Sequence, residues 1–438
     1  MGWVSRSNPA LVEAIVASFS ASREEGYTLL SPFTAEDWAR TESWLDTSGL
    51  AFYFLNVIQT RRLIGAVDRR LVEKLQQKLA ENKLRLAELL HELVALNQSF
   101  EHAGIRFANL KGFTLFPHSC PDLSLRHISD FDFLVEPADV DLAGVLLEQH
   151  GYHRTGSTAH SLEFKTAGRI RTSLAGQYQA DNRRSAELHL AVESLKAAKG
   201  PGERDSRLNR LVEWECPAGR LPSLGPADQL IGQALHLLGH LRHEHTRASW
   251  LLEFRQHVRV RGRDAAFWQV VQARAEREPE IATALGLSTL LATRLFGSFA
   301  PPELSSWTVD ALPPMVRLWV ELYGQRAVLA DVPGTKLYLL LEDALREARP
   351  EEPAAGTMRR LIPLRLPDRI DPAMPRTSLR ERMRRELIEL RFLIFRLRFH
   401  LREGWRYLVE SHRWKRLRAG YEELREAESL CICRLHSR

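Results

Sequence analysis

The chain has 438 residues, 44% of them hydrophobic and 26% charged, which is ordinary for a soluble protein and long enough for two or three domains with substantial cores. The balance of 61 Lys and Arg against 55 Asp and Glu leaves +6, too small an excess to argue for nucleic acid by itself. Cys120, Cys216, Cys431 and Cys433 are too few and too scattered for a disulfide framework. With neither a signal-peptide pattern nor a bilayer-length apolar run, a reducing cytoplasm is the expected compartment.

Residues 1–66 read as broken helices, with starts favoured at Asn8-Pro9 and Ser31-Pro32 and an apolar, aromatic stretch at Leu50–Leu63 that should pack on the adjoining domain. Val67–His102 is the strongest helical segment. Leu71, Leu75, Leu79, Leu84, Leu86, Leu90, Leu93 and Leu96 follow roughly helical spacing, and Gly104 is a plausible stop. Its length would allow a coiled-coil pairing, but a core-facing helix is the expected role. Ile105–Leu110 then reads as a short buried strand. Gly112 ends it where the backbone must turn tightly or let a ligand approach. A short helix starting at Phe113 would aim its unpaired N–H groups at an anion, and Lys111 would add a positive charge. That helix stops near Phe116-Pro117, and a loop carrying Asp122 and Arg126 comes next.

Asp130-Phe131-Asp132-Phe133-Leu134-Val135 alternates with period two. On a strand, Asp130 and Asp132 share one face while Phe131 and Phe133 enter a core. Adjacent carboxylates repel unless a cation lies between them, and a carboxylate pair completed by phosphate oxygens suits Mg2+, or Mn2+ in its place. The plain alternative is two surface acids at a strand end. With the turn upstream, the combination describes a site for a metal ion and a triphosphate.

Pro137–His150 is an amphipathic helix with Val140, Ala143, Leu146 and Leu147 on one face. Leu162–Lys165 and Ile170–Leu174, across Ala167-Gly168, carry a hairpin signal. Ala186–Val192 alternates again and places Glu187 and His189 on one face. Lys196–Leu221 reads as a polar connector. Pro226–Val260 is helical and holds His236, His240, His243 and His245. No acid stands between the first two histidines as in a His-Glu-x-x-His zinc site, so packing or lining a cleft is their expected role. Helices continue to Phe299 and through Leu312–Arg349, and Arg349–Pro375 reads as a Pro/Arg-rich linker. Thr377–Glu428 reads as a long basic amphipathic helix or helix pair whose Arg391–Arg402 stretch could pack on the protein, lie on an anionic membrane or contact RNA. Packing is the expected role, and Cys431 and Cys433 read as a frayed tail. The expected domains are a helical cap (1–66), a core with its leading helix (67–195), a helical domain (196–348), the linker (349–376) and the basic helices (377–438).

The order Leu110-Lys111-Gly112, Arg126, Asp130-Phe131-Asp132-Phe133-Leu134-Val135 resembles the uncharacterised bacterial nucleotidyltransferase family of the DNA polymerase β-like nucleotidyltransferase superfamily. The likeness extends from about Ala80 to about Arg259. It includes Glu187-Leu188-His189, where the family carries an acidic residue and a histidine on a later strand. It implies an α+β fold, with a small mixed β-sheet core flanked by extensive helical segments. It also implies Mg2+-dependent transfer of a nucleoside monophosphate from an NTP, ATP being the donor expected here, to an acceptor the sequence does not identify. Asp130 and Asp132 would be the catalytic metal ligands, and Glu187 a third carboxylate for metal or proton. Lys111, Gly112 and Arg126 would hold phosphates. His189 is a further candidate to orient a phosphate or act as a base. The wider superfamily usually has Gly-Ser at the turn. Lys-Gly replaces it here and in the family resembled. Two rival readings are a non-catalytic scaffold that binds a nucleotide or a partner, and an RNA-directed transferase. The mild charge and the lack of an aromatic-plus-basic motif argue against the second.

Overall fold

Seven short segments make one mixed sheet: β1 (Phe107–Leu110), β2 (Asp130–Val135), β3 (Tyr152–Ser157), β4 (Ser161–Thr166), β5 (Ser185–Leu190), β6 (Leu211–Cys216) and β7 (Gly219–Leu224). Their order is β3-β4-β5-β2-β1-β7-β6. β2 runs antiparallel to β1 and parallel to β5, and β1 runs parallel to β7. The computed structural model describes residues 6–167, 177–178, 182–191, 206–216, 218–347, 361 and 379–436.

Alternation sends Phe107, Phe131, Phe133, Val135, Phe164, Ala186, Leu188, Trp214 and Leu221 into one core. There they meet α5 (Arg69–His102) and α6 (Val140–Gln149), through Leu86, Leu89, Leu93, Leu96 and Phe100 of the first and Ala143 and Leu147 of the second. Phe100, Phe107 and Phe133 pack edge to face with centroids 5.1 to 6.1 Å apart. A smaller cluster of Ala108, Leu134, Ala191, Leu208 and Leu224 lies apart from that core. Ala108 and Leu134 are cross-strand partners, so they share the sheet face of Asp132.

The leucine stripe of α5 is buried at Leu71, Leu75, Leu86, Leu93 and Leu96, but Leu84 is 72% exposed because it falls off that stripe. Among the polar residues on that buried side, Asn82 and Arg85 are ones that no hydrophobic pattern reveals. The Asn82 amide donates to the carbonyls of Ser124 (2.9 Å) and Arg126 (3.0 Å), and Arg85 donates to the carbonyl of Ile128. The helix thus pins the loop that leads from β1 into β2. Asn82→Ala would strand two carbonyls and is expected to cost about 1–3 kcal/mol of stability. Chemical denaturation measures this, and an unchanged midpoint would mean the loop holds its shape unaided.

Ahead of α5 stand α1 (Pro9–Ser18), α2 (Arg23–Leu30), α3 (Ala35–Ser48) and α4 (Ala51–Thr60), the first three capped by Asn8, Ser22 and Thr34 side chains. After the sheet come α7 (Pro226–Leu241), α8 (Ala248–Arg261), α9 (Ala265–Arg277), α10 (Pro279–Phe296), α11 (Pro302–Thr308), α12 (Pro314–Trp319), α13 (Gln325–Val328), α14 (Tyr338–Glu347) and α15 (Leu379–His436). The chain falls into two compact units. One is Gly2–Leu238 with Arg247–Ala311, and the other is Gly239–Thr246 and Leu312–Arg438 with Met1. In the second unit α15 buries Phe399, Tyr407 and Trp414, so part of the basic helix packs as expected. The Glu244 carboxylate pairs there with Lys336 (3.1 Å) and Arg396 (2.8 Å). No helix among the described residues is long and apolar enough to cross a membrane.

Two local expectations differ from the structure, at the connector and at the C-terminal tail, and two others fall outside the described residues. The connector at Lys196–Leu221 contains β6 and the start of β7. They bury Trp214 and Leu221, but charged residues, Gly219 and Pro222 mask them in the sequence. The strand at Leu162–Lys165 pairs with β3 and β5. Its expected partner, Ile170–Leu174, lies outside the described residues, as does the linker at 349–376 apart from Leu361. Finally, α15 continues as one helix through Cys431 and Cys433 to His436, where the sequence suggested a frayed tail.

Candidate functional site

The site begins at the turn after β1. Lys111 has φ 48° and ψ −149°, and Gly112 has φ 43°. A side chain in that region costs about 1–3 kcal/mol and persists only where its surroundings impose it. At Gly112 a Cβ would meet Ile128 and the Asp130 carbonyl at ordinary distances of 3.6 and 3.8 Å. The positive φ, and not crowding, is therefore what favours glycine there. A single 3-10 turn, Gly112–Leu115, stands where a short helix from Phe113 was expected. Its Thr114 amide is already spent on the Lys111 carbonyl, and the Phe116 amide just beyond it on the Phe113 carbonyl.

Strand pairing assembles the acids. Leu110 lies opposite Asp132 across the antiparallel ladder. In the parallel ladder Asp132 lies opposite Glu187, and Leu134 opposite His189. The Asp132 side chain is 4% exposed. Its Oδ1 accepts a hydrogen bond from Lys111 Nζ at 3.1 Å and lies 2.8 Å from His189 Nε2, which lies 3.5 Å from Glu187 Oε2. One ligand atom each from Asp132, Glu187 and His189 lies within 4.8 Å of the others, close enough for a shared metal ion. Asp130 is on the same face but outside this trio, and it is exposed. Burial works to raise the Asp132 carboxyl, but Lys111 and His189 outweigh it and hold the pKa at about 2. Burial opposes the Lys111 charge, yet Asp132 raises its pKa on balance. The surrounding protein, and next the Asp132 charge, raise the Asp130 carboxyl.

Arg126 is held differently. Its Nη1 donates to Glu253 Oε2 at 2.5 Å, and the other oxygen of Glu253 accepts from the Tyr53 hydroxyl at 2.9 Å. The same hydroxyl lies 3.2 Å from Cys120 Sγ, whose thiol burial pushes up to about 12. Arg126 Nε is buried without a hydrogen-bond partner. Neither Tyr53 on α4 nor Glu253 on α8 was singled out from the sequence. The one available signal was a lone acid inside the apolar run Trp250-Leu251-Leu252-Glu253-Phe254.

Lys111 and His189, the two partners of Asp132, line a cleft of about 800 Å3, which Arg126 also borders. Gln233, His236 and Trp250 line it too. His236 packs edge-on to Trp250 with centroids 4.7 Å apart, and Arg247 lies 5.6 Å from the Trp250 ring centre. The Gln233 amide is fixed by Ser119 (2.9 Å) and His257 (3.0 Å). Among the described residues the group able to share a metal is Asp132, Glu187 and His189, and the histidines of α7 do not form another. His236 instead lines the cleft.

No curated protein matches the chain. A solved structure described as an antigenic nucleotidyltransferase-like protein from Paracoccidioides brasiliensis matches with a TM-score of 0.26 and 10% identity, over 43% of this chain and 88% of that one. The family model described as uncharacterised nucleotidyltransferase matches residues 34–297, which hold the whole sheet and every site residue named above. The chain belongs to that nucleotidyltransferase family.

Proposed function

We propose that this protein transfers a nucleoside monophosphate from an NTP, with ATP as donor, to a nucleophilic acceptor in a reaction that depends on Mg2+ or Mn2+. One observation carries the reading: Asp132, Glu187, His189 and Lys111 converge on one sheet face, beside a cleft of about 800 Å3. The donor set fits a divalent cation. Asp132 is buried and ionised, and a cationic Lys111 and a histidine already crowd its Oδ1. Two carboxylates with room for phosphate oxygens suit Mg2+, and an added imidazole is compatible with Mn2+. Asp132, Glu187 and His189 would hold the ion, with Asp130 contributing from the same face. Bound there, it would neutralise phosphate oxygens and polarise the phosphorus.

The chain's own groups do the rest. Lys111 Nζ turns from Asp132 to a phosphate oxygen and stabilises charge that builds there. His189 fixes the orientation of the Asp132 carboxylate. Glu187 is the candidate to receive the proton of the acceptor hydroxyl. Arg126, oriented by Glu253, presents its remaining edge to the cleft, and Trp250 with His236 supplies an aromatic wall for a base. The strained backbone at Lys111 supports this division of roles, because strain retained at a turn points to a function for the residue that bears it.

The rival reading, a binding module without turnover, draws on the Lys111–Asp132 ion pair, which satisfies the buried carboxylate with no metal. Pyrophosphate release separates the two. On the transferase reading, release in the presence of an acceptor mixture stops with a chelator and returns with Mg2+ or Mn2+. Release that persists in chelator, or none from any NTP, would count against it. Lys111→Met is expected to weaken binding of a non-hydrolysable ATP analogue at least tenfold, or about 1.4 kcal/mol, and unchanged affinity would remove Lys111 from the phosphate site.

A further inference from the structure

Helix α15 has two apolar sides. One packs within its unit through Phe399, Tyr407 and Trp414, and Glu403 is buried on the same side. The other is made by Leu390, Ile394, Leu397, Leu401, Trp405 and Leu408, which are 40% to 71% exposed. At 3.6 residues per turn these six fall within an arc of about 80° and run for roughly 27 Å. Leu401 and Trp405 each stand two residues from Glu403, about 200° around the helix, so the exposed stripe lies opposite the packed side. A continuous apolar stripe of this length marks a surface that something covers, unlike leucines scattered singly.

The charges beside the stripe select its occupant. Between Arg391 and Gly420 no acid is exposed, whereas Arg391, Arg402, Arg413, Lys415 and Arg416 are. Glu386 is exposed but precedes the stripe. The two acids of the stretch, Glu403 and Glu410, turn to the packed side. There Arg402 and Arg406 share Glu403, and Arg326 holds Glu410 at 3.2 Å. A second copy of this face would set basic residues against basic residues in either direction, where paired helices need opposite charges flanking the seam. Single-stranded RNA would offer bases that stack on aromatic rings, and the stripe has one aromatic residue among five aliphatic ones. An anionic phospholipid surface matches both features, with acyl chains for the leucines and headgroup phosphates for the basic side chains. Trp405 belongs to the residue type that concentrates at the boundary between lipid and water.

We propose that α15 lays this stripe on an anionic phospholipid surface. The helix lies along that surface and does not cross it, since no helix among the described residues is long and apolar enough to span a bilayer. Leu390, Ile394, Leu397, Leu401 and Leu408 enter the acyl boundary, and Arg391, Lys415 and Arg416 meet the headgroups. Attachment of this kind goes beyond nucleotidyl transfer and requires nothing of the acid cluster.

The test is flotation of the full chain with vesicles of phosphatidylcholine alone and of an equimolar mixture of phosphatidylcholine and phosphatidylglycerol. The variants are Leu397→Glu/Leu401→Glu and Lys415→Gln/Arg416→Gln, all at exposed positions, so circular dichroism should show the fold unchanged. The wild-type chain is expected to bind the mixed vesicles at least tenfold more tightly than the neutral ones. The leucine variant should lose at least tenfold in affinity for the mixed vesicles. The basic variant should also lose at least tenfold, at about fivefold for each basic residue near such a surface. Equal binding to both kinds of vesicle, binding to neither, or full binding by the leucine variant would overturn the proposal. Light scattering and titration with single-stranded RNA cover the other occupants. A wild-type dimer that the leucine variant splits would assign the face to a second copy, and RNA affinity that the leucine variant loses would assign it to nucleic acid. Either result would also overturn the proposal.

Discussion

Asp132→Asn is expected to reduce nucleotidyl transfer by roughly a thousandfold or more, a loss of several kcal/mol of transition-state stabilisation. The change keeps the shape of the side chain and removes its charge, the one shared by Lys111 and His189. Circular dichroism should show the fold unchanged, since Phe131 and Phe133 anchor the strand from the opposite face. A variant that kept more than a tenth of the activity would exclude Asp132 as a metal ligand. Asp130→Asn is the informative companion. Asp130 lies outside the close trio but on the same face, so sharing of the metal predicts a comparable loss. A loss of less than tenfold would confine the ion to Asp132, Glu187 and His189.

The largest stability effect is expected at Glu253. Removing one member of a buried ion pair leaves the other charge uncompensated, at a cost of about 3–5 kcal/mol. Glu253→Ala would strand Arg126 and the Tyr53 hydroxyl together, and chemical denaturation should show a loss of that size. Burial raises the Glu253 pKa despite Arg126, so the pair is costly to assemble as well as costly to break. Glu253→Leu with Arg126→Met should therefore recover most of the loss. If the double change were as damaging as the sum of the single ones, the pair would not be the coupled unit the geometry describes.

Much of the proposed metal site was legible because it is local. The Asp-x-Asp alternation and the Lys-Gly turn lie within a few residues of each other. The placement of Glu187 and His189 on one face comes from period two alone. The sequence does not reveal that β5 runs parallel beside β2 in the register that sets Glu187 opposite Asp132. Such pairing is non-local and is fixed by burial on both sides of the sheet. Partners further away were hidden for the same reason. Arg126 and Glu253 are 127 residues apart, and Tyr53 and Glu253 are 200 apart. Asn82 and Arg85 look like solvent-facing residues of a helix until the loop they hold is in place. The strands β6 and β7 were obscured by Glu213, Glu215, Arg220 and Pro222, which leave Trp214 as the one fully buried residue of the first.

The most direct test of the central claim is a calorimetric titration of the purified protein with a non-hydrolysable ATP analogue, with and without Mg2+, beside the Asp130→Asn/Asp132→Asn variant. Binding that requires Mg2+ and is lost in the variant is the expected result, and it would place the nucleotide at the acid cluster. Binding of equal strength in the variant, or no binding of any nucleotide, would contradict the account and favour the module without turnover.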